Sequence, residues 1–152
     1  MRLIVLQDVA APIEVVWDRT VDVDRLEAGA RERDSGLRRV PEGPPGPGTR
    51  WEMTVPIQGR RRLIEMELVA LDAPVSARMR ARVEGIEIGS DFALAALAPD
   101  RTRMRIEVEA RAAGLAGRLL LGALALARPQ IERGLAARLL AAARRIEDGP
   151  PG

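Results

Sequence analysis

Few side chains in these 152 residues can do chemistry. The chain has no Cys, His, Tyr, Lys or Asn, and all 24 of its positive charges are arginines. Disulfides, thiolate nucleophiles and imidazole acid–base catalysis are thereby excluded. Ser90 and Asp91 are the polar candidates within a mid-strand run, and alternation points Ser90 inward and Asp91 outward. A serine with neither His nor Lys to deprotonate it has no evident base. Carboxylates abound, but at no metal-ligand spacing, and no glycine-rich phosphate loop occurs. The run Gly43-Pro44-Pro45-Gly46-Pro47-Gly48 is a stiff loop whose prolines lack the N–H donors a phosphate cradle needs. The expectation is no catalytic residue, no metal and no cofactor.

Arginine is then the remaining recognition chemistry. Arg60-Arg61-Arg62 follows the turn Gln58-Gly59 and suits a phosphate, a carboxylate ligand or an acidic membrane. Glu65 and Glu67 follow at once, which favours a solvated hairpin tip. Alternation sets Arg60 and Arg62 on the face of Ile64 and Met66, with Arg61 opposite, so Arg62 is placed to meet an acidic head group at a cavity mouth. Arg78, Arg80, Arg82, Arg103 and Arg105 fall on outward faces with Glu65, Glu67, Glu107 and Glu109, where cross-strand ion pairs account for them. A nucleic-acid surface is not expected: the net charge is +2, and the outward faces carry no aromatic platform. The high pI of 10.6 misleads: with no His, Cys, Tyr or Lys side chain, little titrates between the carboxylates and arginine.

The apolar faces offer a second chemistry. Trp51, Met53, Met66, Met79, Phe92 and Met104 share the inward side of successive runs. Any one of these methionines is more simply core, but four methionines and two aromatics together suit a pocket for varied apolar ligands. The candidate lining is Trp51, Met53, Arg62, Met66, Met79, Ser90, Phe92 and Met104 from strands, with Leu119 and Ala123 from a helix. Trp17 is expected as a buried anchor on a short helix.

The positioning elements follow from periodicity. Leu3–Val9 is an apolar strand. Pro12 suits a helix start, and Ile13, Val16 and Trp17 give Ile13–Thr20 one buried face. Asp22 caps a second short helix expected to end near Gly29, and Arg31–Val40 reads as an edge strand. From Thr49 to Ala110 five runs alternate with period two, separated by Gln58-Gly59, Asp72-Ala73-Pro74, Gly85 and Pro99-Asp100. Turns this short require antiparallel neighbours. Gly114 to Asp148 is rich in Leu, Ala and Arg and reads as a long helix. Pro129 divides it into Leu115–Arg128, expected over the cavity mouth, and Pro129–Glu147, expected against the sheet. The class is α+β: a curved antiparallel sheet of six or seven strands around a long C-terminal helix, with two short helices after the first strand. Residues 1–148 are expected as one domain and 149–152 as a disordered tail.

At this point the chain resembles the START-like (SRPBCC) superfamily, the helix-grip fold of polyketide cyclases and the birch-pollen allergen. The residues carrying the resemblance are Val9-Ala10-Ala11-Pro12 leading to Val16-Trp17-Asp18, Gly46-Pro47-Gly48-Thr49-Arg50, Leu71-Asp72-Ala73-Pro74, Pro99-Asp100-Arg101-Thr102-Arg103 and Gly114-Leu115-Ala116-Gly117-Arg118-Leu119-Leu120. The resemblance implies an apolar cavity between sheet and helix, used in the family for lipids, sterols, polyketides or plant hormones. Of the polar groups often found in such cavities, only Arg is present here, and no catalytic residue is carried over.

The leading expectation is a non-catalytic protein binding a small hydrophobic or amphipathic molecule. A cyclase- or dehydrase-like enzyme using Arg and carboxylates is the alternative, and a module dimerising through its apolar C-terminal helix is a third. Arg118 and Arg128 interrupt the apolar run well short of about 20 residues, so stable membrane insertion is not expected. Arginine in place of lysine and abundant alanine suit a high-GC bacterial source. With no evident signal segment, a cytoplasmic location is expected.

Overall fold

The structure is a computed structural model that describes residues 1–33, 36–40 and 43–149. Its elements run β1 (Arg2–Val9), α1 (Ile13–Thr20), α2 (Val23–Glu32), β2 (Arg38–Val40), β3 (Arg50–Ile57), β4 (Arg60–Asp72), β5 (Ser76–Val83), β6 (Ile86–Ala98), β7 (Arg101–Ala112), α3 (Gly114–Leu126) and α4 (Arg128–Glu147). The seven strands form one antiparallel sheet in the order β1-β7-β6-β5-β4-β3-β2. Each hairpin pairs with its sequence neighbour, and only β1 returns across the chain to close on β7. Register shifts at Leu68/Ala70 and Ala96/Ala98 insert an extra residue in β4 and β6. Bulges of this kind bend a strand and deepen sheet curvature.

Alternation sorts the two faces. On the outer face Arg103 donates to Asp8 at 2.7 Å, Arg78 to Asp91 at 2.6 Å, and Arg2 and Arg105 both meet Glu107. These are opposite-charge pairs of the expected kind, made with Asp8, Asp91 and Glu107 rather than with Glu65 and Glu67, and individually weak. On the inner face two apolar clusters form. The first joins α1, α4, β1, β6 and β7 through Val9, Val16, Trp17, Leu94, Met104, Leu139, Ala143 and Ile146. The second lies at the other end of the sheet, where Leu120 of α3 meets Val83, Ile86 and Ala110. Thr102, fully buried, donates its hydroxyl to the Ala11 carbonyl at 2.9 Å and ties the start of β7 to the β1–α1 corner.

Two boundaries differ from the sequence expectation. The second helix continues past Gly29 to Glu32, where Arg33 leaves the helix, and Arg33 Nε reaches back to the Gly29 carbonyl. Asp22 caps it as expected, accepting from the Arg25 amide at 3.2 Å. The strand expected over Arg31–Val40 is consequently only Arg38–Val40, and residues 34 and 35 lie outside the described residues. Of the expected tail, only Gly149 is described.

Pro129 breaks the C-terminal run in two. Ala127 ends α3 and begins α4, and Pro129 sits in the first turn of α4, where its missing N–H is no loss. The two helices are fixed differently. α4 packs along β1 and against α1, and Glu147 accepts the Ala10 amide at 2.8 Å. α3 packs on β6 and β7, with its first turn pressed onto the β5–β6 turn backbone to backbone. There Gly85 has φ +79°, and a Cβ on Gly117 would lie 2.2 Å from the Gly85 carbonyl oxygen.

Candidate functional site

The site follows from what the helices leave uncovered. Their main contacts are with β1, β6 and β7, so the inner face of β3 to β5 receives little helix above it. Between the two clusters the inward row contains Met53, Val55, Met66, Met79, Ala81 and Ser90, and every one is only half-buried. Apolar side chains left this accessible on a sheet's inner face form an apolar floor suited to a small molecule.

Each end of this floor carries an ion pair. At the Trp51 end Glu27 projects from α2 and is only 5% exposed. Its Oε2 accepts Arg39 Nε and Trp51 Nε1, both at 2.7 Å, and its Oε1 accepts Arg39 Nη2. The Arg39 guanidinium, opposed by burial and aided by the Trp51 N–H, holds the Glu27 carboxyl below its usual range. Arg39 in turn donates to the Gly43 carbonyl, so the cluster joins α2, β2, β3 and the loop after β2. At the hairpin end Arg62 is inward and mostly buried, donating Nε to the Ile57 carbonyl at 3.0 Å and Nη1 to Glu84. Arg60 also binds Glu84, and hydrogen bonds from these two arginines, that of Arg60 foremost, lower its carboxyl pKa. Arg62 lies opposite Val55, four positions along β3 from Trp51, roughly 13 Å of strand. An amphipathic molecule of that length would meet apolar floor in the middle and charge at either end.

The expected lining residues divide among distinct settings. Met53, Met66, Met79 and Ser90 lie on the half-buried floor, with Arg62 at its hairpin end and buried Trp51 at the other. Phe92 is half-buried and packs against the first cluster. Met104 has no exposed surface and belongs inside that cluster, away from any accessible wall. Ala123 of α3 is half-buried. The helical contribution shifts by one residue: Leu119 is 70% exposed and turned from the sheet, and Leu120 is the leucine of that turn buried against it. Sequence reasoning missed Glu27 and Arg39. Signals existed: Glu27 interrupts the stripe Val23–Glu27–Ala30 at helical spacing, and Arg39 pairs with Trp51 across β2 and β3.

Glu27 is held ionised with both oxygens occupied, which suits neither a general acid nor a free base. Two surface depressions are present among the described residues, the first of which also touches Trp51, Met66 and Ala81. One, of about 340 Å³, is lined mainly by outer-face charges from Arg38 and Arg50 to Arg80 and Arg82, with Glu52, Glu65 and Glu67 between them. Its alternating charges are a poor match for an apolar ligand. The other, of about 440 Å³, lies beside α3.

Comparisons with known proteins agree with this geometry at the level of fold. By sequence, no curated protein matches the chain. Among solved structures it is similar to norcoclaurine synthase from Thalictrum flavum in complex with dopamine and hydroxybenzaldehyde, at 13% identity and a TM-score of 0.72, covering 100% of this chain and 89% of that one. It is similar to the Zhui aromatase/cyclase from Streptomyces sp. R1128, at 20% identity and a TM-score of 0.67, covering 97% and 93%. Ara h 8.0201 is similar at 16% identity and a TM-score of 0.61, covering 97% and 95%. These likenesses establish the Bet v 1-like, helix-grip fold. The model of the family described as polyketide cyclase / dehydrase and lipid transport matches residues 5–147, and the chain belongs to that family.

Proposed function

We propose that this protein binds a small hydrophobic or amphipathic molecule, lipid- or polyketide-like, on the inner face of β3 to β5, within a single unit of residues 1–148. The observation that carries this reading is the contrast in burial along one continuous face. Met104 and Leu94 are sealed under helices, whereas Met53, Met66 and Met79, further along the same inner face, remain half-buried. The family description, which names lipid transport beside cyclisation and dehydration, supports the same class of ligand. Arg62 is the group that suits a carboxylate or phosphate head, because its guanidinium is inward and lies next to the floor, where such a head would compete with Glu84 for it. Catalysis is not part of the proposal: Ser90 has no base, and Glu27 is fully engaged by Arg39 and Trp51.

Native mass spectrometry and thermal-shift measurements with fatty acids, sterols and aromatic polyketides test it. The expected result is an adduct of one ligand per chain and a raised Tm for at least one class. Met79→Trp, which fills the floor, should abolish that adduct while the protein still unfolds cooperatively. Arg62→Leu should weaken acidic ligands and spare neutral ones. Failure of every ligand class to bind, or undiminished binding by Met79→Trp, would overturn the reading.

A further inference from the structure

We propose that α3 docks this protein onto the surface of an anionic lipid bilayer. Leu115, Leu119 and Leu126 are 74%, 70% and 86% exposed. Their spacing places them on one stripe of the helix, within roughly 40° of one another, opposite the buried Gly117 and Leu120. Single exposed leucines are ordinary, but a ridge of three on one helix is a contact surface waiting for an apolar phase. The ridge is held in place, because Gly117 rests on the Gly85 backbone.

Charge and area decide between a bilayer and a second copy of the chain. Between Glu109 and Glu132 the sequence carries Arg111, Arg118 and Arg128 and no acidic residue. Arg111 is paired with Glu109 at 2.9 Å. Arg118 and Arg128 are exposed and make no ion pair among the described residues, and Arg128 donates only to the Arg2 carbonyl. A two-fold dimer on this ridge would bring those guanidinium groups toward their own copies. Three leucines also present only a few hundred Å², well short of the roughly 800 Å² per partner of a stable interface. A layer of anionic head groups complements both features. The depression of about 440 Å³ beside the ridge is lined by Leu121, Gly122 and Ala125 together with Arg118 and Arg128. Apolar and cationic groups side by side suit a head-group–acyl boundary.

The 13 residues of α3 make about 20 Å of helix, against a hydrocarbon core of roughly 30 Å. No helix among the described residues is long and apolar enough to cross a membrane. α3 therefore lies in the interface plane, leucines down and arginines level with the phosphates.

The test is flotation of the full chain with ligand-free vesicles, either phosphatidylcholine alone or an equal mixture with phosphatidylglycerol. The protein should float with the mixed vesicles only. Leu119→Gln with Leu126→Gln should lower partitioning at least about tenfold with unchanged Tm, because both side chains are already in water. Arg118→Gln and Arg128→Gln should each lower it about fivefold. Met79→Trp, which blocks the proposed ligand floor, should float like the parent, so failure of ligand binding and failure of docking are separable. Absence of flotation at low salt would overturn the proposal. So would leucine variants that float undiminished, loss of flotation by Met79→Trp, or a dimer in sedimentation that the leucine substitutions dissolve.

Discussion

The inner face of the sheet is built as two halves from the same kinds of residue. At the end of β1, β7 and β6 where Val9, Leu94 and Met104 meet, it is closed by α1 and α4, with those side chains at or near zero exposure. Over β3 to β5 the methionines of the same parity stay half-buried, between the buried Trp51, Leu68 and Val83. The difference comes from helix placement rather than strand composition. α4 tracks β1 at one edge, and α2 is anchored at the other edge by one buried carboxylate. A sheet face thus becomes sealed core or accessible surface according to what the chain lays over it.

The sharpest way to break this comparison is to truncate one methionine in each half. Met104→Ala should cost about 2–5 kcal/mol in chemical denaturation, the usual range for emptying a sealed site. Met79→Ala should cost less than about 1 kcal/mol, because its side chain already meets solvent. Equal losses would mean that the β3 to β5 half is core after all. Next in size is Glu27→Ala, which strands the Arg39 guanidinium and the Trp51 N–H and should cost about 2–4 kcal/mol. Hydrogen exchange in that variant should rise in α2 and β2 and leave α4 unchanged. Gly117→Ala should cost about 1–3 kcal/mol by forcing α3 off the β5–β6 turn, with Leu120 losing its cover.

The smallest effect is the pH profile. Glu27 has a folded-state pKa below its usual value of 4.5, chiefly because of its hydrogen bonds from Arg39. The unfolded chain then binds the proton more tightly, so this contribution is complete above the usual carboxylate range and is lost as pH falls through the lowered folded value. Asp8 and Glu84 shift in the same direction, through Arg103 and Arg60 respectively, but lie at the surface, where salt screens them. Denaturation midpoints should therefore fall on the acid side, less steeply in Glu27→Gln, and stay level from about pH 6 to 10. No His, Cys, Tyr or Lys side chain is present to titrate in that interval.

Much of the fold is legible in the sequence because alternation and turn chemistry are local. Met53, Met66, Met79 and Met104 can all be assigned to one face from spacing alone. That spacing cannot separate Met104 from Met79, because burial depends on a helix arriving from elsewhere in the chain. For the Glu27–Arg39–Trp51 cluster the helical spacing of Glu27 was a signal, but its partners come from two other elements whose meeting is tertiary. Leu119 and Leu120 illustrate a different limit. In Leu119-Leu120-Leu121 every position is leucine, so the apolar pattern has no phase and cannot say which side faces the sheet. Gly29 shows a third: a glycine that often ends helices lies here inside one, because the capping arrangement forms later, at Arg33.

The contact between Gly85 and Gly117 also limits how this chain can change. At most packed positions a larger residue on one side can be accommodated by a smaller one opposite. Here the atoms that a Gly117 side chain would strike are the carbonyl oxygen, carbonyl carbon and Cα of Gly85, and a side chain on Gly85 would meet the Ala113 carbonyl oxygen and the backbone of Gly117. Backbone atoms are common to all twenty amino acids, so no second-site replacement at either position relieves the first. The two glycines form a locked pair, and drift in the Leu- and Ala-rich sequence of α3 proceeds around a fixed point.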